Sequence, residues 1–112
     1  MRPVIGWDDF DKVDIRVGTI VRVEMFPEAR KPAFKLWVDF GDLGVKSSSA
    51  QITTHYNPDQ LVGRQVAGVV NLTPKKIGPF LSECLVTGFA DESGAVVLVC
   101  PDLAVPNGSR LF

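Results

Sequence analysis

The sequence predicts a small all-β protein: a five-stranded Greek-key barrel, one short helix between its third and fourth strands, and flanking segments at both ends. Three observations lead there. Short apolar runs alternate with polar positions at period two, Gly and Pro fall between the runs, and a capped helical signal follows the third run. The 112 residues have the size of one domain, 1–112, with its core over about residues 14–100.

Taken in order, WDDFDK at 7–12 reads as a short helical turn with Trp7 and Phe10 on one side. Residues 15–24 alternate strictly and predict a half-buried strand. Ile15, Val17, Thr19, Val21 and Val23 share one face, and Gly18 marks a bend or bulge. PEARKP at 27–32 is a proline-bracketed loop. FKLWVDF at 34–40 alternates again, with Phe34, Leu36, Val38 and Phe40 on one face and Lys35, Trp37 and Asp39 on the other. A turn at 41–44 leads into a third strand over 45–51. Asn57, Pro58 and Gly63 bracket one helical turn as cap, first-turn proline and stop. RQVAGVVNL at 64–72 is an apolar strand, and 73–82, with two prolines and a glycine, is expected to be a loop. Strands over 83–89 and 95–100 flank the turn ADESG, and the rest is irregular but anchored. A barrel with its helix between strands three and four is the OB fold.

Composition narrows the function. The net charge is −1, so any nucleic-acid binding rests on a local patch rather than on the whole field. No apolar run reaches the roughly 18–20 residues that cross a bilayer, which predicts no membrane insertion. The acidic opening MRPVIGWDDFDK predicts no signal peptide, and with Cys84 and Cys100 outside any CxxC spacing a reduced cytoplasmic setting is expected. His55 is the single imidazole, with no nucleophile signature beside it and no cluster of the three or four ligands a metal needs, so it reads as a loop or cap histidine. Both cysteines fall at positions typical of buried thiols. No catalytic residue, no metal and no cofactor is expected.

Two binding constellations stand out. Lys75 and Lys76, beside Asn71, Thr73 and Ser82, present ammonium, amide and hydroxyl groups of the kind that hold phosphate, and Lys35, Lys46 and Arg64 extend the patch. The plain alternative is a solvated loop. Trp37, next to Lys35 on the polar face of its strand, is either a stacking platform or a residue buried under a loop or subunit seam. The second is favoured. Trp7, Phe10, Phe80 and Leu81, with Phe26, Leu103, Val105, Leu111 and Phe112, exceed what a small barrel covers, and predict a dimer seam or a peptide groove.

The stretch SSAQIT…LVG…NLTPKKIG…S within 48–88 resembles the tRNA-binding domain family. Asn71-Leu72-Thr73-Pro74, Lys75-Lys76, Gly78 and Ser82 match its pattern, whereas Glu83 and Cys84 stand where many members carry Gly and Met. DFDKVDIRVGTIVRVE, SSAQIT, IGPFLSE and PDLAVPNGSRLF resemble the CsaA-like chaperone branch of that family over about residues 8–112. That resemblance implies a cytoplasmic homodimer, and the surplus apolar content places the end segments in its interface. The resemblance also implies ATP-independent binding of unfolded or presecretory polypeptides, contact with the translocation motor, and no catalytic residues. The parent family implies tRNA binding, for which Lys75, Lys76, Asn71, Ser82, Lys35, Lys46 and Gln51 are the expected contacts.

Overall fold

The computed structural model describes residues 1–112. A short helix, α1 (Trp7–Asp11), starts where Asp9 Oδ2 reaches back to the Gly6 amide at 3.1 Å. A five-stranded antiparallel sheet then forms in the order β3-β2-β1-β4-β7. Its strands are β1 (Ile15–Met25), β2 (Phe34–Asp39), β3 (Val45–Ala50), β4 (Gln65–Val69) and β7 (Leu85–Val86). Two small hairpins complete the fold: β5 (Lys75–Ile77) with β6 (Phe80–Ser82), and β8 (Gly88–Ala90) with β9 (Val96–Leu98). The sheet curls into a nearly closed barrel, and α2 (Pro58–Leu61) sits between β3 and β4, as the OB fold requires.

The long strand β1 pairs with β4 through its first half and with β2 through its second. A bulge at Val21 separates the halves and reverses which side chains face inward. Gly18 and Ile20 are buried before it, Val21 is 46% exposed, and Val23 packs on the core after it. The single continuous apolar face expected for 15–24 is therefore wrong, and the bulge lies three residues beyond Gly18. At Gly18 the neighbouring strand simply comes too close for a side chain.

Alternation in β2 is clean: Phe34, Leu36 and Val38 are buried, while Lys35, Trp37 and Asp39 face outward. Phe40, Ile20, Leu36, Leu61 and Val66 are fully enclosed at the barrel centre. Leu61 arrives there because α2 is firmly capped. Asn57 Oδ1 accepts from the Gln60 amide at 3.0 Å, and Gln60 Oε1 accepts from the Asn57 amide at 3.1 Å. The last residues run beside β1, with the Leu111 amide donating to the Ile15 carbonyl at 2.8 Å and the Gly108 amide to the Val17 carbonyl at 2.7 Å.

Within the expected loop over 73–82, residues 75–82 form a hairpin, turning at Gly78 with φ 57°. Its strands are only three residues long, so period-two patterning had no room to appear. The expected strand over 83–89 is broken into β7 and β8.

Candidate functional site

The outer face of β2 and β3 carries the hairpin β5–β6. Ser47 and Ser49 lie opposite Trp37 and Lys35 in the β2–β3 ladder, so they share the outward face and meet the hairpin. The Glu83 and Cys84 amides both donate to the Ser47 carbonyl, at 2.8 and 3.2 Å. Ser49 N–H donates to Ser82 Oγ at 3.0 Å. Glu83 Oε1 accepts from the Ser47 amide at 3.0 Å and lies 2.8 Å from Ser47 Oγ, which also lies 2.7 Å from the Leu81 carbonyl; the one hydroxyl hydrogen serves one of these at a time. Side chains thus complete a closure that the backbone ladder leaves irregular. The two hydrogen bonds from Ser47, aided by the charge of Lys46, hold the Glu83 carboxyl below its ordinary range, so it is ionised at neutral pH.

Phe80 anchors the hairpin. Its ring meets Phe26 edge-on at 5.4 Å and Trp37 at 5.9 Å. Lys35 Nζ lies 5.0 Å from the Phe26 ring centre and 5.6 Å from that of Phe80, while the Arg22 guanidinium covers Trp37 at 4.7 Å. Arg22 is in turn paired with Glu24. Trp37 is half-buried, held between a cation and an edge-on aromatic ring.

The hairpin register separates the two lysines. Lys75 pairs with Ser82 and Lys76 with Leu81, so successive side chains point to opposite faces. Lys75 shares a cleft of about 190 Å³ with Thr73, Ser82 and Glu83, whereas Lys76 lies on the other face with Leu81. Asn71 ties the chain's opening residues to the end of β4: its Oδ1 accepts from the Asp14 amide at 2.8 Å and its Nδ2 donates to the Lys12 carbonyl at 2.6 Å. Lys46 is half-buried on β3 near Glu83. Gln51 lies apart, in a groove between the end of β3 and β7–β8. Of the apolar candidates only Trp37 and Phe80 have their rings in contact. Trp7, 84% exposed, and Phe10 lie on α1, and Leu81 faces away from Phe80.

Sequence reasoning missed an apolar cleft of about 400 Å³ between β1 and the C-terminal segment, lined by Ile15, Val17, Ala67, Val105 and Leu111. Arg16 and Arg110 flank it and share Asp14, at 2.6 and 3.7 Å. No local signal could have found residues separated by most of the chain, although Val105 and Leu111 were visible as surplus apolar content. His55 also has a partner that the sequence does not reveal: Asp91 Oδ2 lies 2.6 Å from its Nε2. That bond, with one from Ser93, lowers the Asp91 carboxyl to about 2. Cys84 is buried and its thiol is pushed up to about 11 by desolvation, but Cys100 is exposed, contrary to expectation. No helix is long and apolar enough to cross a membrane.

Residues 15–110 match the family described as "Putative tRNA binding domain". The chain belongs to the tRNA-binding domain family. Among solved members, the chaperone CsaA of Bacillus anthracis superposes with a TM-score of 0.93 at 47% identity, covering 98% of this chain and 100% of that one. The CsaA chaperone protein of Picrophilus torridus gives 0.90 at 47% identity, over 97% and 100%. Curated family relatives include the methionine–tRNA ligase of Bacteroides fragilis, 35% identical over 111 residues, which are 99% of this chain and 16% of that protein. The chain therefore spans about one-sixth of the length of such ligases.

Proposed function

We propose that this chain is a CsaA-like chaperone: a single-domain, cytoplasmic, non-enzymatic homodimer that binds unfolded or presecretory polypeptides without ATP and passes them to the translocation motor. The observation that carries this reading is surplus apolar surface at both ends of the chain. Val4, Ile5 and Trp7 are exposed, as are Leu103, Leu111 and Phe112, and the apolar cleft beside β1 adjoins the last of these. Pairing two copies through these end segments covers part of that surface and leaves a seam for extended segments. The likeness to two CsaA chaperones over nearly the whole chain supports the same conclusion.

A second reading, tRNA binding, is favoured by Lys35 on the outward face of β2 and Lys75 on the hairpin that packs there, neither in an ion pair with a carboxylate, whereas Lys46, opposite Val38 in the β2–β3 ladder, lies on the other face. One titration series separates the two. The full chain is titrated with labelled bulk tRNA at low and at physiological salt, and an unfolded polypeptide competes. Polypeptide binding that persists while tRNA binding vanishes with salt is the expected result. Tight tRNA binding at physiological salt that is weakened by Lys75→Ala would instead favour the second reading. Failure to suppress aggregation of a denatured client at a few-fold excess would refute the first.

A further inference from the structure

We infer that the cleft holding Lys75 and Glu83 reads polypeptide amide groups and turns phosphate away, and that Glu83 determines this choice. The inference deepens the polypeptide-binding reading above and rests on it. Four polar residues line the cleft: Thr73, Lys75, Ser82 and Glu83. Lys75 is a donor with no ion-pair partner. Ser82 Oγ already accepts from the Ser49 amide, so its own hydrogen is free to donate outward. Glu83 supplies the opposite function. Its Oε1 is taken up by Ser47, which fixes the carboxylate in place, and its Oε2 remains an acceptor without a protein partner.

A site with an unpaired ammonium and a fixed carboxylate suits a ligand that offers both an acceptor and a donor. A peptide group does, through its C=O and N–H. A phosphodiester does not, because it has acceptors only. It would satisfy Lys75 and Ser82 while placing its charge against Glu83, and like charges set side by side are a recognised means of refusing a partner. Lys46 offsets part of the Glu83 charge, but it is half-buried on β3 and does not line the cleft. The face therefore carries basic residues without forming a phosphate cradle.

The test uses the full chain with Glu83→Gln, which keeps an oxygen for Ser47, removes the charge and turns the free acceptor into an uncharged N–H donor. One titration uses a labelled, uncharged peptide rich in Leu, Phe and Asn; the other uses bulk tRNA. The variant should bind the peptide roughly three- to tenfold more weakly, through loss of a charge-assisted hydrogen bond. It should bind tRNA roughly three- to tenfold more tightly, with a steeper salt dependence. Glu83→Asp, which keeps the charge, should refuse tRNA as the natural chain does. If Glu83 merely braced β3, both affinities would fall, and that result overturns the inference. So does tRNA binding that weakens alone, which would mean that the carboxylate reads a base N–H. So does no change in either ligand. The parent reading fails separately: a natural chain that neither binds the peptide nor suppresses aggregation refutes it, whereas a working holdase indifferent to Glu83→Gln refutes only this inference.

Discussion

A methyl group added at Gly18 should unfold this barrel more readily than its size suggests. Built on the observed backbone, the new Cβ lies 2.6 Å from Val38 Cγ1, 2.8 Å from Phe40 Cδ1 and 2.9 Å from the Asp39 carbonyl oxygen. Carbon atoms pack best at roughly 3.5–4.0 Å, so the two carbon contacts are each short by about 1 Å. Neither neighbour can retreat, since Val38 and Phe40 are both fully buried. Phe40 is confined on its other side as well: a Cβ at Gly68 would stand 2.9 Å from its Cζ. Overpacking of this kind costs about 1–3 kcal/mol, and contact with backbone places it toward the upper end. Loss of glycine freedom in the unfolded chain returns about 0.4–1 kcal/mol. The net expectation for Gly18→Ala is a loss of about 2 kcal/mol, or about 8–12 °C in Tm for a domain of this size. Urea unfolding followed by tryptophan fluorescence, at one fixed chain concentration, measures it. A loss under about 0.5 kcal/mol would refute the steric argument. Combining Gly18→Ala with Phe40→Leu checks the cause, because the two changes should together cost less than the sum of their separate effects.

Other outcomes follow from the same geometry. The Asp91 carboxyl is lowered to about 2 in the folded chain, so its pairing with His55 and Ser93 stabilises above the ordinary carboxylate range and is lost as pH falls toward 2. Asp91→Asn should therefore flatten the acid limb of a urea-midpoint curve over that window, and an unaltered limb would mean that the pairing contributes nothing. Glu83→Gln should act in the same direction, since the Glu83 carboxyl is also lowered. Ellman's reagent should react quickly with one thiol per chain, Cys100, and reach Cys84 only in denaturant; a fast phase surviving Cys100→Ser contradicts the burial of Cys84. Phe80→Ala should cost about 1–2 kcal/mol and shift Trp37 emission to the red, because the edge contacts with Phe26 and Trp37 hold the hairpin down.

The candidate site divides along the range of its interactions. Lys75, Ser82 and Glu83 are adjacent in a short segment and could be named from it, but their roles depend on Ser47, about 35 residues earlier in the chain. Glu83, which in the sequence only stands where many family members carry Gly, proves to be pinned in place by that serine. Asn71 resembled a phosphate ligand, yet its amide joins Lys12 and Asp14 to the end of β4. Lys75 and Lys76 looked like one paired charge until strand pairing placed them on opposite faces.

By itself the sequence determined whatever depends on neighbours along the chain. The alternation in β2 predicted its buried side because period two is a property of any extended backbone. Asn57, Pro58 and Gly63 announced α2 because cap, first-turn proline and stop all act within one turn. The strand–helix order was enough for the barrel. Tertiary structure alone decided the phase of β1, since the bulge at Val21 answers to the partners β4 and β2 and leaves no trace in the alternation. It also decided that residues 75–82 form a hairpin, since strands this short are held by Phe26, Trp37 and the serines of β3 rather than by their own propensity. Local hydrogen bonds and periodicity are written within a few consecutive residues, whereas closure of a barrel brings together groups that no window along the chain contains.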